Sequence, residues 1–154
     1  MVLVLKSFGN ISLLKLNKIG YFASSKIATL SVFPTLDWAT EIAKREDVAI
    51  VSGFHSKMER EVLDILFKGR CGIICVLARP IYKVIPDKYR KAYAQDRVLF
   101  ISHNTTKSTM TSRHLCQKRN EYIASISDEL VFSSLTPESS LFPLTKSKPQ
   151  IKLN

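Results

Sequence analysis

The chain has 154 residues, 45% of them hydrophobic and 23% charged, with 23 Lys and Arg against 13 Asp and Glu for a formal net charge of +10. That length suits one domain, and the apolar content supplies a core. Neither a disordered chain nor a small scaffold stapled by disulfides or metal is expected. No apolar run approaches the roughly 20 residues of a membrane helix, so no membrane partner is expected.

The opening run, Met1-Val-Leu-Val-Leu-Lys6, places its apolar residues ahead of its charge. A secretory signal has the reverse order and a longer apolar stretch, so a cytoplasmic protein is expected. The first strand signal is Ile19–Ala23, followed by the polar turn Ser24-Ser25-Lys26. Hydroxyls, backbone N–H groups and one positive charge at a strand-to-helix turn suit a phosphate, although an ordinary polar turn has the same composition. A helix follows over Thr35 to Glu46, with Leu36, Ala39, Ile42 and Ala43 as its apolar stripe.

The second strand, Val48–Ser52, runs into Ser52-Gly53-Phe54-His55-Ser56 and a helix over Ser56 to Lys68. Ser56 with Glu59 three residues on fits a capping box, and Gly69 fits a helix stop. Gly53 allows close backbone approach or a positive φ. The following helix N-terminus offers unpaired N–H groups and a partial positive charge, which makes this the best anion site in the chain. His55 suits a phosphate donor, a general acid or plain polar surface, and Glu59 suits an acid/base role or the cap of its own helix.

The third strand, Gly72–Ala78, ends at Arg79, a guanidinium suited to bidentate phosphate recognition. It contains Cys75, which with Cys71 forms a C-x3-C pair. No matching His or Cys pair follows, and three cysteines cannot close a disulfide framework. Cys71, Cys75 and Cys116 therefore read as small hydrophobes, and neither metal nor cofactor is expected. A short helix over Pro86 to Gln95 precedes the fourth strand, Val98–Ser102. A longer helix, Ser112 to Ser127, carries Leu115, Cys116, Ile123 and Ile126 toward the core. Arg119 lies on or beside that face. A semi-buried arginine needs a carboxylate or an anionic ligand. The last strand is Glu129–Phe132.

Near-continuous apolar strands alternating with helices give an α/β fold, a doubly wound and mainly parallel sheet with helices on both faces. Ligands in such folds sit at the carboxyl ends of the strands, where strand order reverses. Charge is uneven: residues 79–119 hold ten basic residues against two acidic ones, the footprint of a polyanion binder or of a solvated basic face. Tyr82, Tyr89 and Tyr93 lie within that stretch and suit base stacking or helix packing. Neither G-x-G-x-x-G nor a P-loop is present.

Three runs carry a resemblance: Val51-Ser-Gly-Phe-His-Ser-Lys-Met-Glu-Arg-Glu-Val-Leu-Asp64, Ile74-Cys-Val-Leu-Ala-Arg79, and Gln117-Lys-Arg-Asn-Glu-Tyr-Ile-Ala-Ser-Ile-Ser-Asp-Glu-Leu-Val131. Together they resemble the Rossmann-like core of the DNA-processing protein A family, over roughly residues 10–135. The resemblance implies a cytoplasmic, dimeric protein that binds nucleotide or single-stranded DNA and aids recombinase loading in DNA uptake. One Rossmann-like domain over residues 1–135 is expected, and residues 136–154, with their prolines, serines, threonines and lysines, read as an irregular tail with an extra edge strand near Gln150–Leu153. Ser24, Ser25 and Lys26 match the family's first phosphate turn, Ser52 and Gly53 the start of its second, and Arg119 and Asn120 its last motif. Where the family continues its second loop with Arg-Gly and Ile-Asp, this chain has Phe54-His55-Ser56. The family's accessory helical and winged-helix domains do not fit in this length.

The expected nucleotide- or phosphate-binding set is therefore Ser24, Ser25, Lys26, Ser52, Gly53, Phe54, His55, Arg79, Arg119 and Asn120. No catalytic residue is assigned. The alternative is a small-nucleotide hydrolase of the wider superfamily, with Glu59 or His55 as acid or base; the P-G-G-x-G-T-x-x-E motif of those hydrolases is absent.

Overall fold

The computed structural model describes residues 6–24, 26–102, 113–146 and 148–153. Seven strands among them form one sheet: β1 (Lys6–Gly9), β2 (Asn17–Ala23), β3 (Val48–Ser52), β4 (Gly72–Leu77), β5 (Val98–Ser102), β6 (Glu129–Ser133) and β7 (Gln150–Leu153). Their order is β1-β5-β4-β3-β2-β6-β7, with β1 antiparallel to β5 and every other pairing parallel. β3, β4 and β5 are buried along their whole length, as strands covered on both faces must be.

Helices α1 (Thr29–Ala43), α2 (Lys57–Phe67) and α3 (Arg90–Ala94) join successive parallel strands and pack on one face. That core includes Tyr21, Ile50, Val62, Leu63, Leu66 and Phe100. The chain then returns past β2 through α4 (Arg113–Ile126) on the other face, over Phe22, Val51, Ile74, Leu130 and Phe132. Each fully buried leucine in these layers contributes about 2 kcal/mol relative to exposure. Chain direction across the sheet reverses between β2 and β6, which is the topological switch point.

The five expected strands and four expected helices are all present, and so is the edge strand at Gln150–Leu153. Three details differ. The first helix begins at Thr29 rather than Thr35 and runs through Pro34. Proline forfeits one hydrogen bond inside a helix. Here the loss falls in a solvent-facing turn, where Leu30 and Phe33 are 84% and 76% exposed. The helix expected over 86–95 is a 3-10 turn, Asp87–Tyr89, followed by the single α-turn pair of α3. Finally, β1 had no signal. Its four residues are all exposed, so nothing apolar marks it, and it exists by pairing with β5.

Candidate functional site

At the switch point the loops after β2, β3 and β6 surround a cleft of about 520 Å3. The loop after β2 is tied to the segment after β6. Ser24 Oγ donates to the Ser134 carbonyl at 3.0 Å, and Ala28 N–H donates to Ser134 Oγ at 2.9 Å. The Ser24 hydroxyl therefore lines the cleft with its proton already engaged. Lys26 is exposed at the rim. Ser25 lies outside the described residues.

The β3 loop is built by its own sequence. Ser56 Oγ accepts the Glu59 N–H at 3.3 Å while Glu59 Oε1 accepts the Ser56 N–H at 3.2 Å, completing the expected capping box. Glu59 does more. It is buried, and its carboxylate also accepts His55 N–H at 2.8 Å and Ala23 N–H at 3.0 Å. One carboxylate thus pins the end of β2, the β3 loop and the start of α2. The helix N-terminus expected to receive an external anion is already partly occupied by this internal one.

Ser52 is fully buried, and its Oγ accepts Phe54 N–H at 3.1 Å, so it shapes the turn and lines neither cavity described here. The positive φ of the loop falls on Phe54, at 47°, rather than on Gly53. Left-handed backbone is costly for a bulky residue. It is maintained here by a side chain only 5% exposed in the core. Gly53 serves the other purpose of a glycine, close approach. A Cβ there would lie 2.5 Å from Arg119 Cζ and Nη1.

Arg119 is the centre of the arrangement. It sits on α4, is 7% exposed, and donates through Nε to Asn120 Oδ1 at 3.2 Å. Neither Nη has a hydrogen-bond or carboxylate partner among the described residues. Glu59 and Arg119 line the same cleft, yet Glu59 takes backbone N–H groups instead. The sequence-based expectation of a semi-buried arginine holds, and no ion pair to it forms among the described residues.

Of the expected site residues, the cleft gathers Ser24, Lys26, His55, Arg119 and Asn120. It does not gather Ser52, Gly53, Phe54 or Arg79. Gly53, Phe54 and Arg79 line a separate cavity beside it, which His55 and Arg119 also border. Of the three tyrosines, Tyr89 is buried and Tyr93 stacks on Phe8 with ring centroids 5.6 Å apart. Tyr82 meets Phe100 edge-on and carries the Arg79 guanidinium 4.6 Å from its ring centre. Tyr89 and Tyr93 thus serve packing.

The wall from Ser134 to Leu141 was missed because its composition reads as an irregular tail. Its position directly after a parallel strand was the available signal. Within the basic stretch, Arg97 also departs from expectation. It is buried at the opposite end of the sheet, where its guanidinium donates to the carbonyls of Leu66, Phe67 and Cys71 at 2.9–3.1 Å. Burial lowers its pKa, since the charged form loses water there.

A doubly wound, mainly parallel sheet with a cleft at its switch point, bordered by a buried arginine, defines a Rossmann-like α/β protein. The particular family follows from sequence: the model of the DNA recombination-mediator protein A family matches residues 1–139, and the chain belongs to that family. Comparison with curated proteins by sequence gave no match.

Among solved structures, DNA processing protein A from Streptococcus pneumoniae is similar at 14% identity and a TM-score of 0.74, over 95% of this chain and 53% of that one. DNA processing protein A from Helicobacter pylori, described by its single-stranded DNA binding mode, is similar at 20% identity and a TM-score of 0.73, over 95% and 69%. The Moco carrier protein from Chlamydomonas reinhardtii is more distant, at 17% identity and a TM-score of 0.51 over 90% and 76%. This chain therefore spans about half the length of the Streptococcus protein. No helix among the described residues is long and apolar enough to cross a membrane, and no cluster there has the ligands for a metal ion.

Proposed function

We propose that this protein binds single-stranded DNA, or a nucleotide, by seating a phosphate in the switch-point cleft. The observation that carries the reading is Arg119, a buried guanidinium whose two Nη groups lack partners among the described residues and which borders the cleft. Burying an unpaired charge is expensive, and an anionic ligand in the cleft would compensate it. Lys26, His55 and Asn120 line the same space and add donors. Family membership and the single-strand binding described for the Helicobacter pylori relative support the choice of ligand.

The accompanying proposals are a cytoplasmic location, a role in DNA processing, and a homodimer. Leu30 and Phe33, exposed on α1, supply an apolar surface for pairing. The hydrolase alternative draws no support from Glu59, whose carboxylate is engaged by the N–H groups of Ala23, His55 and Ser56.

The test is binding of a fluorescent single-stranded oligonucleotide across a salt series. Affinity is expected to fall with a log–log slope of about −0.7 per phosphate neutralised. Arg119→Ala is expected to weaken it ten- to a hundredfold, roughly the worth of hydrogen bonds to a charged group. Absence of binding at low salt overturns the reading.

A further inference from the structure

The second cavity, about 170 Å3, opens where β3 and β4 end and shares His55 and Arg119 with the switch-point cleft. The two differ in charge. The cleft sets Glu59 and Glu138 among its basic residues, whereas the second cavity is lined by His55, Arg79, Lys88 and Arg119 with no carboxylate among the described residues. Its buried Cys75 and Tyr89 are neutral. The Tyr89 hydroxyl donates to Cys75 Sγ at 3.6 Å, burial pushes the Cys75 thiol up to about 11, and it raises the Tyr89 phenol as well. Neither supplies a negative charge near neutral pH.

Arg79 is held in place by its stack on Tyr82 and by Nε donation to the Pro80 carbonyl at 3.1 Å, and its Nη groups have no partner among the described residues. Lys88 Nζ lies over the Tyr89 ring at 5.7 Å from its centre and has no carboxylate within ion-pair distance among the described residues. At about 170 Å3 against about 520 Å3 the cavity is about a third of the switch-point cleft's volume, a size that suits a single phosphoryl group.

We propose that this cavity is a second phosphate subsite, taking the phosphodiester next to the one in the switch-point cleft, with Arg119 between them and bordering both. The proposal rests on the reading of that cleft as a phosphate site. It assigns Arg79 and Lys88 a role the cleft does not give them. Two linked subsites make a ligand with two phosphate groups bind better than one with a single group, because the second contact forms at high effective concentration.

The test is calorimetric titration of the full chain with thymidine 5′-monophosphate, thymidine 3′,5′-bisphosphate and inorganic phosphate. The bisphosphate is expected to bind about tenfold or more tighter than the monophosphate. That advantage is expected to vanish in Arg79→Ala/Lys88→Ala and in the gentler Arg79→Gln/Lys88→Gln. Equal affinities in the wild type, or an advantage that survives both double variants, overturn the second subsite alone. Inorganic phosphate separates the sources of the anion. A phosphate-binding event that persists in the monophosphate complex, and is lost in both double variants, identifies a free-anion site and overturns the strand assignment. Failure of the wild type to bind either nucleotide is the failure of the functional reading, and the subsite falls with it.

Discussion

The two ends of the parallel sheet each bury an arginine, and they treat it in opposite ways. At the amino end, Arg97 donates to the carbonyls of Leu66, Phe67 and Cys71 and to Gln95 Oε1, so it closes the C-terminus of α2 and the turn that follows. At the carboxyl end, Arg119 donates to its neighbour Asn120, its Nη groups have no partner among the described residues, and it borders two cavities. Burial is nearly equal, at 9% and 7% exposure, so burial alone does not separate a structural arginine from a binding one. Satisfaction of the donors does.

That contrast predicts a division of effects. Arg97→Ala strips a donor from three carbonyls, and at roughly 1 kcal/mol for each the loss is about 3 kcal/mol. Chemical denaturation should show it as a lower midpoint, with DNA affinity of the folded protein unchanged. Arg119→Met should do the opposite. Replacing an uncompensated buried charge by an apolar chain is expected to leave stability equal or higher by about 1 kcal/mol while binding weakens ten- to a hundredfold, as for Arg119→Ala. A large fall in stability for Arg119→Met would break the comparison, since it would make both arginines structural.

Gly53→Ala sharpens the same point with a smaller effect. The added methyl meets the far end of a flexible side chain, so it should displace the guanidinium without disrupting the backbone. Binding is expected to fall about tenfold. In an Arg119→Ala background the same change should cost almost nothing, because a double-mutant cycle reports only residues that interact.

The smallest effect is expected at Asp128, also at the amino end. Its carboxylate accepts Lys18 N–H at 2.8 Å and lies 3.5 Å from Lys18 Nζ, and the backbone hydrogen bond first, then the nearby charge, hold its pKa below the ordinary value. A depressed folded pKa means that the stabilisation is complete above the unfolded carboxylate value, and is lost as pH falls through the folded one. Asp128→Asn should therefore flatten the acid limb of stability against pH. An unchanged limb would show that the contact contributes nothing.

Much of the frame was legible in the chain. β3, β4 and β5 announce themselves because strands covered on both faces must be apolar throughout. The α2 cap is legible because Ser56 and Glu59 satisfy each other across three residues. Arg119 was legible as an inward-leaning charge from its place beside Ile123 on α4. Less visible were β1, whose exposed residues carry no apolar pattern, and the Ser134–Leu141 wall, whose composition resembles any surface loop.

Local pattern settles what depends on near neighbours: helix faces, caps, and strands long enough to be buried. The remaining features join residues far apart along the chain. Glu59 reaches Ala23 across 36 positions, Arg97 reaches Leu66 across 31, and Ser24 reaches Ser134 across 110. Gly53 lacks a side chain because Arg119, from the opposite face of the sheet, fills its place. No spacing in the sequence encodes such meetings. They exist only once the sheet has ordered its strands and gathered these loops at its two ends, and that ordering leaves the guanidinium of one arginine satisfied and that of the other without an Nη partner among the described residues.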